Sequence, residues 1–116
     1  TALHWAVELG DTETVKFLID SGADLEAVTR LGAFTPLHVA GEAGQGAAVK
    51  ILLAAGANPY AVSTLGGELP LHYAAEAGSV DAIEALLEHG VNPNGRSATG
   101  QTPLIFAGER NRPEAI

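Results

Sequence analysis

The sequence predicts an all-α solenoid of stacked helix–turn–helix units joined by short β-hairpin-like fingers. A tetrapeptide recurs as Thr1-Ala-Leu-His, Thr35-Pro-Leu-His, Leu69-Pro-Leu-His and Thr102-Pro-Leu-Ile, at steps of 34, 34 and 33 residues. Glycines keep two further registers, Gly10, Gly44 and Gly78 in one and Gly22, Gly56 and Gly90 in the other. An apolar i, i+3, i+4 stripe repeats as Val15, Leu18, Ile19, then Val49, Leu52, Leu53, then Ile83, Leu86, Leu87. Self-similarity at this period describes an array in which each unit packs only on its neighbours and none has a private core. The expected units are 1–34, 35–68, 69–101 and a partial 102–116, in one array.

Each unit begins with a short helix of about two turns. In Thr35-Pro36 and Thr102-Pro103 the hydroxyl can accept from an early backbone N–H, while proline sits where no N–H partner is needed. Leu69 cannot cap in this way, which should weaken that helix start by roughly 1 kcal/mol. The first glycine register closes this helix in the left-handed conformation, with Asn111 as its non-glycine member in the last unit. The second helix carries the apolar stripe and ends at the second glycine register. Ile116 falls on the fourth rung of the stripe. Polar, glycine-bearing stretches at 27–34, 61–68 and 95–101 then suit tight turns that project as fingers.

Composition narrows the function classes. With 47% hydrophobic and 17% charged residues the chain can bury a core. Six Lys and Arg against fourteen Asp and Glu give a formal charge of -8, which repels phosphate backbones and favours basic proteins as partners. Nucleic acid is therefore not an expected partner. The absence of cysteine removes thiolate metal sites and disulfides, and fits a reducing compartment such as the cytoplasm. No apolar run reaches the roughly 20 residues of a membrane span, and no basic-then-apolar signal segment opens the chain. The sequence starts and stops inside repeats, so a segment of a longer protein with uncapped ends prone to end-to-end self-association is expected.

The TPLHxA motif, the glycine before the second helix, the Val-Lys-Phe-Leu and Val-Lys-Ile-Leu-Leu cores and the Gly-Ala-Asp24 and Gly-Ala-Asn58 exits together resemble the ankyrin repeat family. The resemblance covers essentially the whole chain. The first two units exceed the family's 33 residues by one, the surplus falling at Ala33-Phe34 and Gly67-Glu68 in the fingers. It implies a module for protein recognition, without cofactor or catalysis, although a fold names no target. In the family pattern, His4, His38 and His72 resemble internal hydrogen-bonding residues. A shared zinc is disfavoured anyway, since stacked helices lie about 8–10 Å apart and each imidazole nitrogen must come within about 2.1 Å of the metal.

No other constellation in the sequence carries a catalytic or metal-binding pattern. Gly41-Glu-Ala-Gly44-Gln-Gly46 lacks the strand-before, helix-after context of a phosphate loop, and no GxSxG, HExxH or Cys-His pair is present. Glu84 and Glu88, one turn apart, read as a solvated face. Trp5, Val39, Tyr73 and Phe106 form an in-register ladder that reads as packing between repeats, with the polar tips of Trp5 and Tyr73 free to reach water. Glu8, Glu42, Glu76 and Glu109 place a carboxylate on every rung. The family pattern puts this position near the end of the inner helix on the concave side, where a run of like charges focuses a negative potential. The competing reading is that glutamate simply favours helix and water. Arg30, Leu31, Phe34, Thr64, Leu65 and Glu68 are the expected finger contributions beside that groove. Apolar residues there serve a partner or adjacent fingers. The expected function is noncatalytic recognition of a partner, possibly through a basic segment; the alternative is a structural spacer or assembly element within a larger protein.

Overall fold

The computed structural model describes residues 1–109, except for the side chains of Ala107 and Glu109; Asn111 and Ile116 lie outside the described residues. Helices alternate as α1 (Ala2–Leu9), α2 (Thr12–Asp20), α3 (Pro36–Glu42), α4 (Gly46–Ala54), α5 (Pro70–Ala77), α6 (Val80–Glu88) and α7 (Pro103–Glu109). The inner layer stacks α1 on α3, α3 on α5 and α5 on α7, and the outer layer stacks α2 on α4 and α4 on α6. Residues 34 positions apart therefore occupy equivalent sites in successive layers.

Capping sets where the inner helices start. The Thr1 and Thr35 hydroxyls accept the backbone N–H groups of His4 and His38 at 3.3 Å. Leu69 supplies no such oxygen, but the His72 ring Nδ1 accepts the Leu69 N–H at 3.0 Å. The Leu69 side chain is buried instead, so the lost cap is offset by apolar contact. Gly10, Gly44 and Gly78 turn the chain at φ of 73, 71 and 68°. An L residue with a Cβ is strained in that region, which is why this register is glycine.

The stripe of the outer helices packs as expected at Val15, Val49, Leu52 and Leu86, which join Leu3, Val7, Leu37 and Ala74 in one continuous core between the layers. Leu87 departs from its register-mate Leu53, being 41% exposed where Leu53 is buried. Within α3, Gly41 has no room for a side chain: a Cβ there would stand 2.8 Å from the Pro70 carbonyl oxygen. That close approach fixes the spacing of α3 and α5.

The fingers are not β-hairpins, since no strand forms among the described residues. Each is closed by a backbone bond between its ends, Thr29 N–H to Phe34 O at 3.0 Å, Ser63 N–H to Glu68 O at 2.9 Å and Ser97 N–H to Gln101 O at 2.8 Å, and in the second and third the Ser63 and Ser97 carbonyls accept from the Gly67 and Gly100 N–H groups at 3.1 and 2.9 Å. The reciprocal bond of an antiparallel pair is taken by a hydroxyl. Thr29, Ser63 and Ser97 side chains accept from the N–H groups of Phe34, Glu68 and Gln101. A side chain thus replaces the carbonyl that would have continued a ladder. Neighbouring fingers are joined by Thr64 N–H to Gly32 O and Ala98 N–H to Gly66 O, both 2.8 Å.

Candidate functional site

Two adjoining concave compartments lie along the inner helices beneath the fingers. The larger, about 770 Å³, is lined by Phe34, Tyr73 and Phe106 from below, by Glu42, Glu68 and Glu76, and by Leu65, Thr99 and Gln101 from the finger side. The smaller, about 220 Å³, is bounded by Glu8, Phe34, His38, Val39, Glu42 and Ala43. Phe34 and Glu42 belong to both and form the partition between them.

The floor is a row of rings. Phe34 meets Tyr73 edge to face at 5.3 Å between centroids and 88°, and Tyr73 meets Phe106 at 5.9 Å and 80°. His38 and His72 edge the same row. Such arrangements are favourable between aromatic quadrupoles and hold the rings in place. Phe34, expected as an apolar finger residue, turns inward onto this row. Leu31 and Leu65 stay out at 85 and 71% exposure.

Glu68, expected as a polar finger residue beside the groove, lines the larger compartment and is only 8% exposed. Its backbone closes the finger against Ser63, which directs the side chain inward. There its carboxylate accepts from the Tyr73 hydroxyl at 2.8 Å and from the Ser63 hydroxyl at 3.2 Å. The hydroxyl of Tyr73, expected to reach water, is held in this triad. Burial pushes the Tyr73 phenol up to about 12, with the neighbouring Glu68 acting in the same direction.

The three histidines build the frame behind the groove. Their Nε2 atoms lie 2.8 Å from Phe34 O, 2.9 Å from Glu68 O and 2.7 Å from Gln101 O, the closing residue of each finger. A carbonyl only accepts, so Nε2 carries the proton and Nδ1 is the acceptor, as its bonds from the Thr35 and Leu69 N–H groups require. Burial pushes the His38 imidazole below its ordinary value of 6.5, against the opposing pull of the Glu68 carbonyl. His4 moves the same way for the same leading cause. Both rings thus favour the neutral form.

The expected residues are only partly brought together. Glu42, Glu76, Glu68, Phe34 and Leu65 share the larger compartment, and Glu8 and Glu42 both line the smaller. Glu8 and Glu42 are exposed and Glu76 is half-buried. Glu109 occupies the last position of α7, in backbone register with these three. Arg30, Leu31 and Thr64 sit out on the exposed fingers and line neither compartment. Sequence reasoning missed the hydroxyl ladder Thr29, Ser63, Ser97, visible as a 34-residue period, and assigned Tyr73 and Phe106 to packing without their second role as a floor. Among the described residues, no group of three potential metal ligands forms and no helix is long and apolar enough to cross a membrane.

Short helix pairs stacked in register, each tied to its own finger by a histidine, define a helical repeat scaffold. The family model for ankyrin repeats, in three copies, matches residues 1–63 and 37–116. The chain belongs to the ankyrin repeat family. Proteins built from these repeats are generally protein–protein interaction modules and generally noncatalytic. A search of curated proteins finds no match.

Proposed function

We propose that this array is a noncatalytic recognition module that takes a basic protein segment into its concave groove, with the fingers as the rim. The observation that carries this reading is the pairing of accessible carboxylates with an aromatic ring in one concavity: exposed Glu42 and half-buried Glu76 line it together with half-buried Phe34. A cation is attracted by these carboxylates and by the Phe34 ring, and the overall charge of -8 steers it inward from a distance. Leu31 and Leu65 supply exposed apolar contact above the acidic groove. The cysteine-free composition favours the cytoplasm as its setting.

The test is a titration with a basic peptide at low and high salt. Glu42→Gln with Glu76→Gln should weaken binding at low salt by about 1–2 kcal/mol and flatten the salt dependence, with the melting temperature unchanged. A dissociation constant indifferent to salt in both proteins would sink the reading. One observation favours a second role, as an assembly element: Trp5, Leu9 and Phe17 are 66, 73 and 68% exposed on the first helix pair, whereas Tyr73 and Phe106, the register-mates of Trp5, are buried.

A further inference from the structure

The two oxygens of the Glu68 carboxylate are in different situations. Oε1 accepts from the Tyr73 hydroxyl at 2.8 Å and from the Ser63 hydroxyl at 3.2 Å, and Oε2 accepts from no residue of the chain. No fully buried polar side-chain atom among the described residues lacks a partner, so Oε2 is the atom that stays open to the larger compartment. We infer that Glu68 Oε2 seats one primary ammonium group, a lysine side chain of the partner, and selects it over the guanidinium of arginine. This rests on the recognition of a basic segment proposed above.

The fold does not need this carboxylate. Phe34, Glu68 and Gln101 each close a finger through backbone N–H and C=O groups, and only the middle one carries a charge. Tyr73 is likewise the one member of its ladder with a hydroxyl, beside Trp5, Val39 and Phe106. Gly66 belongs to the same arrangement. Gly32, Gly67 and Gly100 in the fingers have positive φ and Gly66 does not, so its backbone does not call for glycine. A Cβ at Gly66 would instead collide with Glu68 Oε2. Tyr73, Ser63 and Gly66 thus fix one orientation of an anion whose burial is costly unless it is paired. Two hydroxyls offset part of that cost, and among the described residues no lysine or arginine lines the compartment to offset the rest. The orientation also chooses the cation. A guanidinium binds a carboxylate best as a fork across both oxygens, whereas an ammonium is a compact point charge. With Oε1 taken by two O–H donors, only a single-point seat is left. Phe34 and Leu65 in the same lining offer apolar surface to the methylene stem of a lysine.

The experiment titrates a pair of labelled peptides by fluorescence anisotropy at low salt. Both are N-acetylated and C-amidated Gly-Ser chains of equal length, with every basic position lysine in one and arginine in the other. The lysine peptide should bind roughly five- to tenfold tighter, the difference that one charge-assisted hydrogen bond makes. Glu68→Gln should remove that difference by weakening the lysine peptide, and Gly66→Ala, which displaces Oε2 at unchanged charge, should act in the same sense. Tyr73→Phe keeps the charge but leaves Oε1 open to a fork, so it should narrow the difference by strengthening the arginine peptide, which a merely structural loss would not do. Glu42→Gln should weaken both peptides alike and leave their ratio intact. Equal affinities in the wild type, or a preference for arginine, would overturn the inference while leaving a basic-segment groove standing. A lysine preference that survives both Glu68→Gln and Gly66→Ala would overturn the assignment to Glu68. Binding of neither peptide would remove the underlying recognition as well.

Discussion

At the scale of single residues, histidine does the most structural work. His38 accepts at Nδ1 from the start of its own helix and donates at Nε2 to the carbonyl that closes the next finger, 30 residues on. His38→Ala should cost roughly 1–3 kcal/mol, because it leaves buried groups without partners. The same geometry fixes a pH dependence. With the folded-state value depressed below 6.5, the unfolded chain binds the proton more readily. Stability is therefore full above about pH 6.5 and declines as pH falls from there toward the folded-state value. Urea midpoints at about pH 7.5 and about pH 5.5 should differ in that sense, with a smaller difference in His38→Ala; a wild-type midpoint that rises on acidification would contradict the assignment. This role was legible through the resemblance to the ankyrin repeat pattern, in which the in-register histidine is an internal hydrogen-bonding residue. The burial of Glu68 was not. A glutamate in a polar turn reads as solvated, and only the backbone closure against Ser63 aims its carboxylate at Tyr73.

At the scale of elements, the helices were legible from period and punctuation, and the fingers only as turns. Caps at Thr1 and Thr35 and left-handed glycines at 10, 44 and 78 mark ends that a sequence can display, because each depends on one residue's own chemistry. The fingers depend on which of two oxygens answers an N–H, and hydropathy patterning does not reveal that choice. Helix spacing is likewise set by contact rather than propensity. Gly41 in α3 faces the Pro70 carbonyl of α5, and a methyl group there would force the two inner helices apart. Gly41→Ala, favourable on helix propensity alone, should instead destabilise by about 1–3 kcal/mol. A chemical-denaturation midpoint equal to or above the wild type would show that α3 and α5 yield more readily than this packing implies.

For the whole molecule, the array character was readable and an acidic concave side was expected, but the division of that side into two compartments was not. A 34-residue period in caps, glycines and apolar stripes specifies stacking, whereas the larger compartment arises from residues of four units and three fingers meeting in space. Phe34 and Glu42 are eight positions apart in sequence, and nothing in either predicts that they would partition two compartments. The first and last helices also carry exposed apolar side chains. Trp5 and Phe17 on the first pair, and Leu104 and Ile105 at 50 and 48% on α7, expose apolar area of the kind that buried units share. Concentration-dependent self-association is the expected result, insensitive to Glu42→Gln and Glu76→Gln because it uses other surfaces. Sedimentation as a strict monomer at high concentration would refute it.

The fingers are coupled much more loosely than the helices behind them: one backbone bond per junction, from Thr64 to Gly32 and from Ala98 to Gly66, against whole helix faces in contact. A stack fastened unevenly across its thickness behaves like a leaf spring, stiff along its spine and compliant along its lip. Flexing it would change the width of the groove mouth with little loss of core contact, so a groove that binds as proposed above would admit ligands of different girth at small elastic cost. Amide hydrogen exchange should register this asymmetry. The Thr64 and Ala98 amides should exchange well before those of Leu52 and Leu86, and equal protection would mean that the lip is as rigid as the spine.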